Sequence, residues 1–173
     1  MSLSAPIFKT VDQFVALKSK LVGNCVLGAT SCPADPPHVG HVSVLQDIKR
    51  YCDKLVVIVN GDNFLKRKKG KAFMDAENRC EVIAAMKGVD YVVLFETDED
   101  NEDQTVIEPL YKIRPDIFGK GGDRVDEKTI PEWEICKELG IQIITGLGKP
   151  KIHSSSEFLK AWAEFMNNKE KCV

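Results

Sequence analysis

The chain has 173 residues, 43% of them hydrophobic and 29% charged, and 24 Lys and Arg against 26 Asp and Glu give a formal charge of −2. This balance excludes a collagen-like or disordered chain, and a near-neutral total makes a general nucleic-acid partner unexpected. No apolar run approaches the roughly 20 residues that a membrane helix needs, so no membrane partner is expected either.

Apolar runs of strand length alternate with segments of helical period. That alternation predicts an α/β fold, a single Rossmann-like doubly wound domain (residues 1–173, core about 10–165) with a five-stranded parallel sheet. Thr10 is placed to cap an opening helix with Val11, Phe14, Val15 and Leu21 on its buried side. Asn24 to Thr30 reads as the first strand. The loop SCPADPPHVGH follows, then a helix from about His41 to Cys52. Lys54 to Asn60 (KLVVIVN) is the second strand, and its unbroken Val/Ile run predicts burial on both faces. Lys66 to Lys71 (KRKKGK) reads as a basic loop. Asp75 is expected to cap a helix through Met86. Tyr91 to Glu96 is the third strand, and the acidic stretch Glu96 to Asp103 reads as a solvated loop before a helix ending near Ile113. Pro115 to Lys120 is the fourth strand. A helix around Pro131 to Leu139 leads to the fifth, Ile141 to Thr145. A last helix covers Ser154 to Asn167, with Phe158, Trp162 and Phe165 expected to face inward.

Six cysteines (Cys25, Cys32, Cys52, Cys80, Cys136 and Cys172) show no Cys-x-x-Cys pair and no zinc-finger spacing. They read as reduced thiols, which makes a cytoplasmic setting the expectation. Met1 to Phe8 lacks the pattern of a secretory leader.

In parallel α/β sheets, ligands bind beyond the carboxyl ends of the strands, where strand order reverses. After the first strand comes Asp35-Pro36-Pro37-His38-Val39-Gly40-His41. Its two imidazoles can donate hydrogen bonds to phosphate oxygens, and the start of the next helix favours anions. Gly40, without a Cβ, lets a group approach the backbone closely. After the second strand come Lys66, Lys68 and Lys69. After the fourth come Lys120, Gly121, Gly122, Asp123 and Arg124. After the fifth come His153, Ser154, Ser155 and Ser156. Cations, imidazoles and hydroxyls thus converge on one edge and suit a phosphate-rich ligand.

These motifs resemble the nucleotidyltransferase superfamily with the His-x-Gly-His signature, and most of all the adenylyltransferase domain of bacterial ADP-heptose synthesis. The resemblance rests on His38 to His41, Lys66-Arg67-Lys68-Lys69-Gly70, Glu77-Asn78-Arg79, Lys120 to Asp123 and Ser154-Ser155-Ser156. It implies transfer of a nucleoside monophosphate, AMP in the first place, from a triphosphate to a phosphorylated sugar or similar small phosphate, with release of pyrophosphate. It implies catalytic roles for His38, His41 and Lys66. Nucleotide contacts would fall to Ala34, Gly40, Lys69, Arg79, Lys120, Gly121, Gly122, Asp123, Ser154 and Ser155, and acceptor contacts to Asp35. Partners would be ATP or CTP and the small phosphorylated acceptor, with Mg2+ screening the polyphosphate and no metal held by protein ligands; a homodimer is allowed. The chain departs from the family loop Gly-x-Phe-Asp, reading Cys32-Pro33-Ala34-Asp35, and has Ser-Ser-Ser where Ser-Thr-Thr is usual. A cytidylyltransferase of glycerol or ethanolamine phosphate, a riboflavin-phosphate adenylyltransferase, a catalytically weakened nucleotide-binding module and a basic-loop RNA binder are the rival readings.

Overall fold

The computed structural model describes residues 4–103, 105–122, 124–150 and 154–170, the last without its side chain. In chain order the elements are β1 (Ile7–Phe8), α1 (Val11–Val22), β2 (Leu27–Cys32), α2 (Val39–Ile48), β3 (Lys54–Asn60), α3 (Asp62–Lys69), α4 (Ala76–Ala84), β4 (Tyr91–Phe95), α5 (Ile107–Ile113), β5 (Ile117–Gly121), α6 (Trp133–Glu138), β6 (Gln142–Leu147) and α7 (Ser155–Glu170). A short 3-10 turn, Lys49–Tyr51, extends α2. The sheet has six strands in the order β1-β4-β3-β2-β5-β6, and every pairing is parallel.

The core follows from alternation along buried strands. On β3, Val56 and Ile58 face one cluster with Phe14, Leu110, Ile113 and Cys136, beneath α1, α5 and α6. Leu55, Val57 and Val59 face the other, with Leu45, Ile48, Cys80 and Ile83, beneath α2 and α4. Burial on both faces is what the KLVVIVN run requires. Thr10 caps α1 by accepting from the Gln13 N–H at 3.2 Å, and Phe14 is fully buried. Asp75 caps α4 through the Asn78 N–H at 2.8 Å. β2 lies between β3 and β5, so the chain winds away from it in both directions. The crevice at its carboxyl end is the switch point where such sheets bind ligands.

Three expectations are corrected. The sheet has six strands, not five. The added β1 is a two-residue edge strand, Ile7 and Phe8 registered on Val92 and Val93 of β4, too short to show a sequence period. The basic stretch is not a loop. Lys66 to Lys69 form the last turn of α3, which closes at Gly70 in the left-handed conformation (φ 83). Its first turn is capped from outside, because the Glu96 carboxylate accepts from the Asp62 and Asn63 N–H groups at 2.8 and 3.2 Å. Glu96 therefore has a structural task within the acidic stretch. Finally, Trp162 and Phe165 on α7 face outward, at 62% and 53% exposure, while Phe158, 43% exposed, turns to the His38 ring with centroids 5.9 Å apart.

Candidate active site

A cavity of about 380 Å³ opens at the carboxyl end of β2. Its lining draws on all four segments singled out by sequence: His38, Gly40 and His41; Lys68; Lys120, Gly121 and Gly122; and Ser154. Asp123 and His153 lie outside the described residues.

The His-x-Gly-His loop is held by its own backbone. His38 is the N-cap of α2, and its Nδ1 accepts from the Gly40 N–H at 3.0 Å. His41 stands three residues on, and its Nδ1 accepts from the His38 N–H at 3.2 Å. The two side chains thus form a reciprocal capping box built from imidazoles. A ring nitrogen that accepts from an amide carries no proton, so each neutral ring bears its proton on Nε2. Burial, aided by the neighbouring His38 and Lys69, pushes His41 down to about 4. Near pH 7 it is a neutral N–H donor. Gly40 also has a local reason to lack a side chain. A Cβ there would come within 2.7 Å of the His38 ring, so the missing side chain makes room for the imidazole. The rings themselves lie 4.0 Å apart, centroid to centroid.

The cations of α3 separate. Lys66 turns to Glu99 and Asn63, at 3.1 and 3.2 Å, and does not line the cavity. Arg67 donates to the Asp98 carbonyl and the Thr97 hydroxyl. Lys69 donates to the Asp35 carbonyl at 2.8 Å and lies 3.7 Å from its carboxylate. Lys68 is the α3 cation on the cavity, its Nζ 5.3 Å from the Phe64 ring centroid.

Several residues expected to touch ligands are engaged with the protein itself. Asp35 is fully buried, and its carboxylate accepts from the Phe73 and Met74 N–H groups at 3.0 and 2.8 Å. Arg79 is fully buried as well. It donates to the carbonyls of Met74, Pro33 and Asn60 and pairs with Asp62 at 2.7 Å. It therefore ties the loops after β2 and β3 together. Ala34, at φ 47, is buried in the core cluster under α2 and α4. Ser155 donates to the Pro36 carbonyl at 2.8 Å, which docks the head of α7 on the histidine loop. Ser154 faces the cavity and accepts from the Glu157 N–H.

The sequence reading did not single out Ser31, Asn60, Phe64 or Glu132, all of which line the cavity. Lys120 is 6% exposed. Its Nζ donates to the Ser31 hydroxyl at 3.1 Å and lies 3.2 Å from the Glu132 carboxylate. Burial lowers the Lys120 pKa, with Glu132 opposing. Cys32 also lines the cavity, but burial pushes its thiol up to about 12, so it stays protonated and is a poor nucleophile. Among the described residues no group of three or more His, Cys, Asp or Glu is placed to hold a metal. No helix among them is long and apolar enough to cross a membrane.

A family model of cytidylyltransferase-like proteins matches residues 34–158. Bifunctional protein HldE of Hyphomonas neptunium is 34% identical over 120 residues, which cover 68% of this chain and 23% of that protein. The protein of the same name from Alcanivorax borkumensis is 43% identical over 109 residues, 61% of this chain and 21% of its own length. The chain thus spans under a third of these relatives. Among solved structures, a lipopolysaccharide core biosynthesis protein from Thermoplasma volcanium GSS1 superposes with a TM-score of 0.57 at 26% identity, covering 73% of this chain and 98% of that one. Pantoate-beta-alanine ligase from Francisella tularensis, with a TM-score of 0.60 at 15% identity over 87% of this chain and 69% of that one, shares the fold.

Proposed function

This chain belongs to the cytidylyltransferase-like family, and on that premise we propose that it transfers AMP from ATP to the phosphate of a phosphorylated sugar. The observation that carries the reading is the single cavity lined by His38, His41, Lys68, Lys120 and Ser154. The stretch shared with the HldE proteins supports the adenylyl and sugar-phosphate choices.

In this reading a phosphate oxygen of the acceptor attacks the α-phosphorus. The bond from that phosphorus to the bridging oxygen breaks, and pyrophosphate leaves with the electron pair. The chain supplies no nucleophile of its own, so catalysis rests on alignment and charge neutralisation. His38 and His41, with protons on Nε2, donate to the triphosphate as negative charge builds up. Lys68 takes the neutralising role that the sequence pattern gave to Lys66. Ser154 holds the β- and γ-phosphates, and Gly121 and Gly122 border the nucleoside. Arg79, Asp35 and Lys69 act by fixing the loops. Among the described residues, the carboxylates of Asp35 and Glu132 already have partners. Magnesium therefore enters as part of the triphosphate substrate, bound by its phosphates and water.

A pyrophosphate-release screen of four triphosphates against sugar and polyol phosphates tests the proposal. ATP with a sugar phosphate should give the fastest release. Fastest release with CTP and glycerol phosphate would replace it with the cytidylyl reading. No release with any pair, while RNA binding survives loss of His38 and His41, would refute nucleotidyl transfer.

A further inference from the structure

Residues 160–169 of α7 are exposed, so the first turn seats this helix on the rest of the molecule. The sequence sets how that turn begins. Ser154 and Glu157 stand three residues apart and cap each other. The Ser154 hydroxyl accepts from the Glu157 N–H at 3.3 Å, and the Glu157 carboxylate accepts from the Ser154 N–H. The helix starts at Ser155, and Phe158, three residues on, lies about 60° from it around the axis. Both turn to the loop that carries the two histidines. Ser155 donates to the Pro36 carbonyl at 2.8 Å. The Phe158 ring meets the His38 ring edge to face, with centroids 5.9 Å apart and planes inclined by 66°. Trp162 and Phe165, further along, touch each other at 5.4 Å and face outward.

The loop itself holds His38 by one ring atom, since Nδ1 accepts from the Gly40 N–H at 3.0 Å. The tilt of the ring, which decides where Nε2 points, depends on what packs beside it. Two rings do so: His41 at 4.0 Å and 50°, and Phe158 at 5.9 Å and 66°. The first belongs to the same motif. The second arrives from the far end of the chain and lines the cavity. Its side chain has no hydrogen bond and no charge to offer a phosphate. An edge-to-face partner restrains a ring without occupying its polar atoms, so Nε2 stays available to a ligand. Restraint of this kind matters at a reacting centre, where a donor misplaced by about 1 Å costs large factors in rate.

We propose that Phe158 is a positioning residue for the transfer: its ring fixes the His38 imidazole in the orientation from which Nε2–H reaches the triphosphate, and the Ser155–Pro36 bond holds α7 in place for it. The inference rests on the nucleotidyl-transfer reading and adds a task that the reading left to the histidine loop alone. It also links two parts of the site. Ser154, which faces the cavity, adjoins Ser155 at the head of α7. A triphosphate tail that draws on Ser154 therefore steadies the helix whose ring orients His38.

The test combines steady-state kinetics, using ATP and the sugar phosphate that gives the fastest pyrophosphate release, with denaturant midpoints and proton NMR of the histidine rings. The His38 signals are identified by their loss in His38→Ala. Phe158→Ala should lower kcat at least fivefold while KM for ATP stays within twofold. The midpoint should hold, because Phe158 is 43% exposed. The His38 ring signals should shift in the same variant as the aromatic ring current is lost. Phe158→Tyr keeps the ring and should recover at least half of the parent kcat, and Phe158→Leu, which keeps bulk without the ring, should recover less. Should Phe158→Ala fail to fold, Phe158→Leu and Ser155→Ala carry the comparison, each lowering kcat with KM for ATP within twofold. Parent-like kcat in the variants, a lowered kcat with the His38 signals unmoved, or kcat and KM changing together would overturn the inference and leave nucleotidyl transfer in place. Absence of pyrophosphate release by the parent with every pair of substrates would overturn both.

Discussion

The histidine loop at the head of α2 and the basic turn at the end of α3 border the same cavity, yet they organise charge in opposite ways. In the loop, burial holds His41 at a pKa of about 4, so its ring is uncharged near pH 7. The loop's donors are fixed because each imidazole accepts a backbone N–H at 3.0 or 3.2 Å and so presents Nε2–H. The α3 turn carries four consecutive cations but presents one of them to the cavity. Lys66 and Arg67 lean back on the acidic segment, Lys69 braces Asp35, and Lys68 remains at the site. At 100° per residue, neighbours on a helix cannot share a face. A run of charge is therefore not a patch of charge once it is helical, whereas a capped loop can aim its imidazoles at one point.

The largest effect expected concerns the frame that both regions share. Arg79→Met should cost about 3 kcal/mol of stability, because it leaves three carbonyl groups without their donor and removes the partner of the half-buried Asp62. Denaturant midpoints for parent and variant measure this, and a loss under about 1 kcal/mol would mean that the loops do not depend on it. Next comes the loop itself. His41→Ala should lower turnover at least tenfold with the circular dichroism spectrum unchanged. Turnover equal to the parent would break the comparison on that side.

The α3 side is sharpened by a pair of variants. Lys68→Ala should reduce kcat/KM several-fold, and Lys66→Ala should leave it within twofold, since Lys66 is committed to Glu99. Reversed effects would return the catalytic role to Lys66. The smallest effect is on pH dependence. His41 has its pKa pushed from 6.5 to about 4 in the folded chain, so the unfolded chain binds the proton more readily. Its contribution to stability is then complete above about pH 6.5 and is lost as pH falls toward 4. Parent and His41→Gln should therefore diverge in midpoint slope across that window and run parallel above it.

Legibility in the sequence followed the range of the interactions. β3 was read to the residue, because burial on both faces leaves an unbroken apolar run. The caps Thr10 and Asp75 were readable, because each acts three residues away. α3 was missed although Lys and Arg form helices well and Gly70 marks its end. The cap that starts it, Glu96, lies 34 residues on from Asp62. The Lys120–Glu132 pair was missed because it forms between the end of β5 and the head of α6, a contact that no local pattern marks. The aromatic spacing on α7 did read as amphipathic, but periodicity does not say which rings find a partner: Phe158 meets His38 at the cavity, while Trp162 and Phe165 face outward. At the site itself, motif positions were readable. The full burial of Asp35 and Arg79 was not, because their partners lie in segments distant along the chain.

The central claim is that one cavity at the end of β2 grips the triphosphate, with donors from the α2 loop and a single cation from α3. A crystal structure with magnesium and a non-hydrolysable ATP analogue tests it most directly. The account predicts phosphate oxygens within hydrogen-bond reach of His41 Nε2 and Lys68 Nζ, with Lys66 still on Glu99. A nucleotide seated elsewhere, or phosphates held by Lys66 with the histidines turned away, would contradict it.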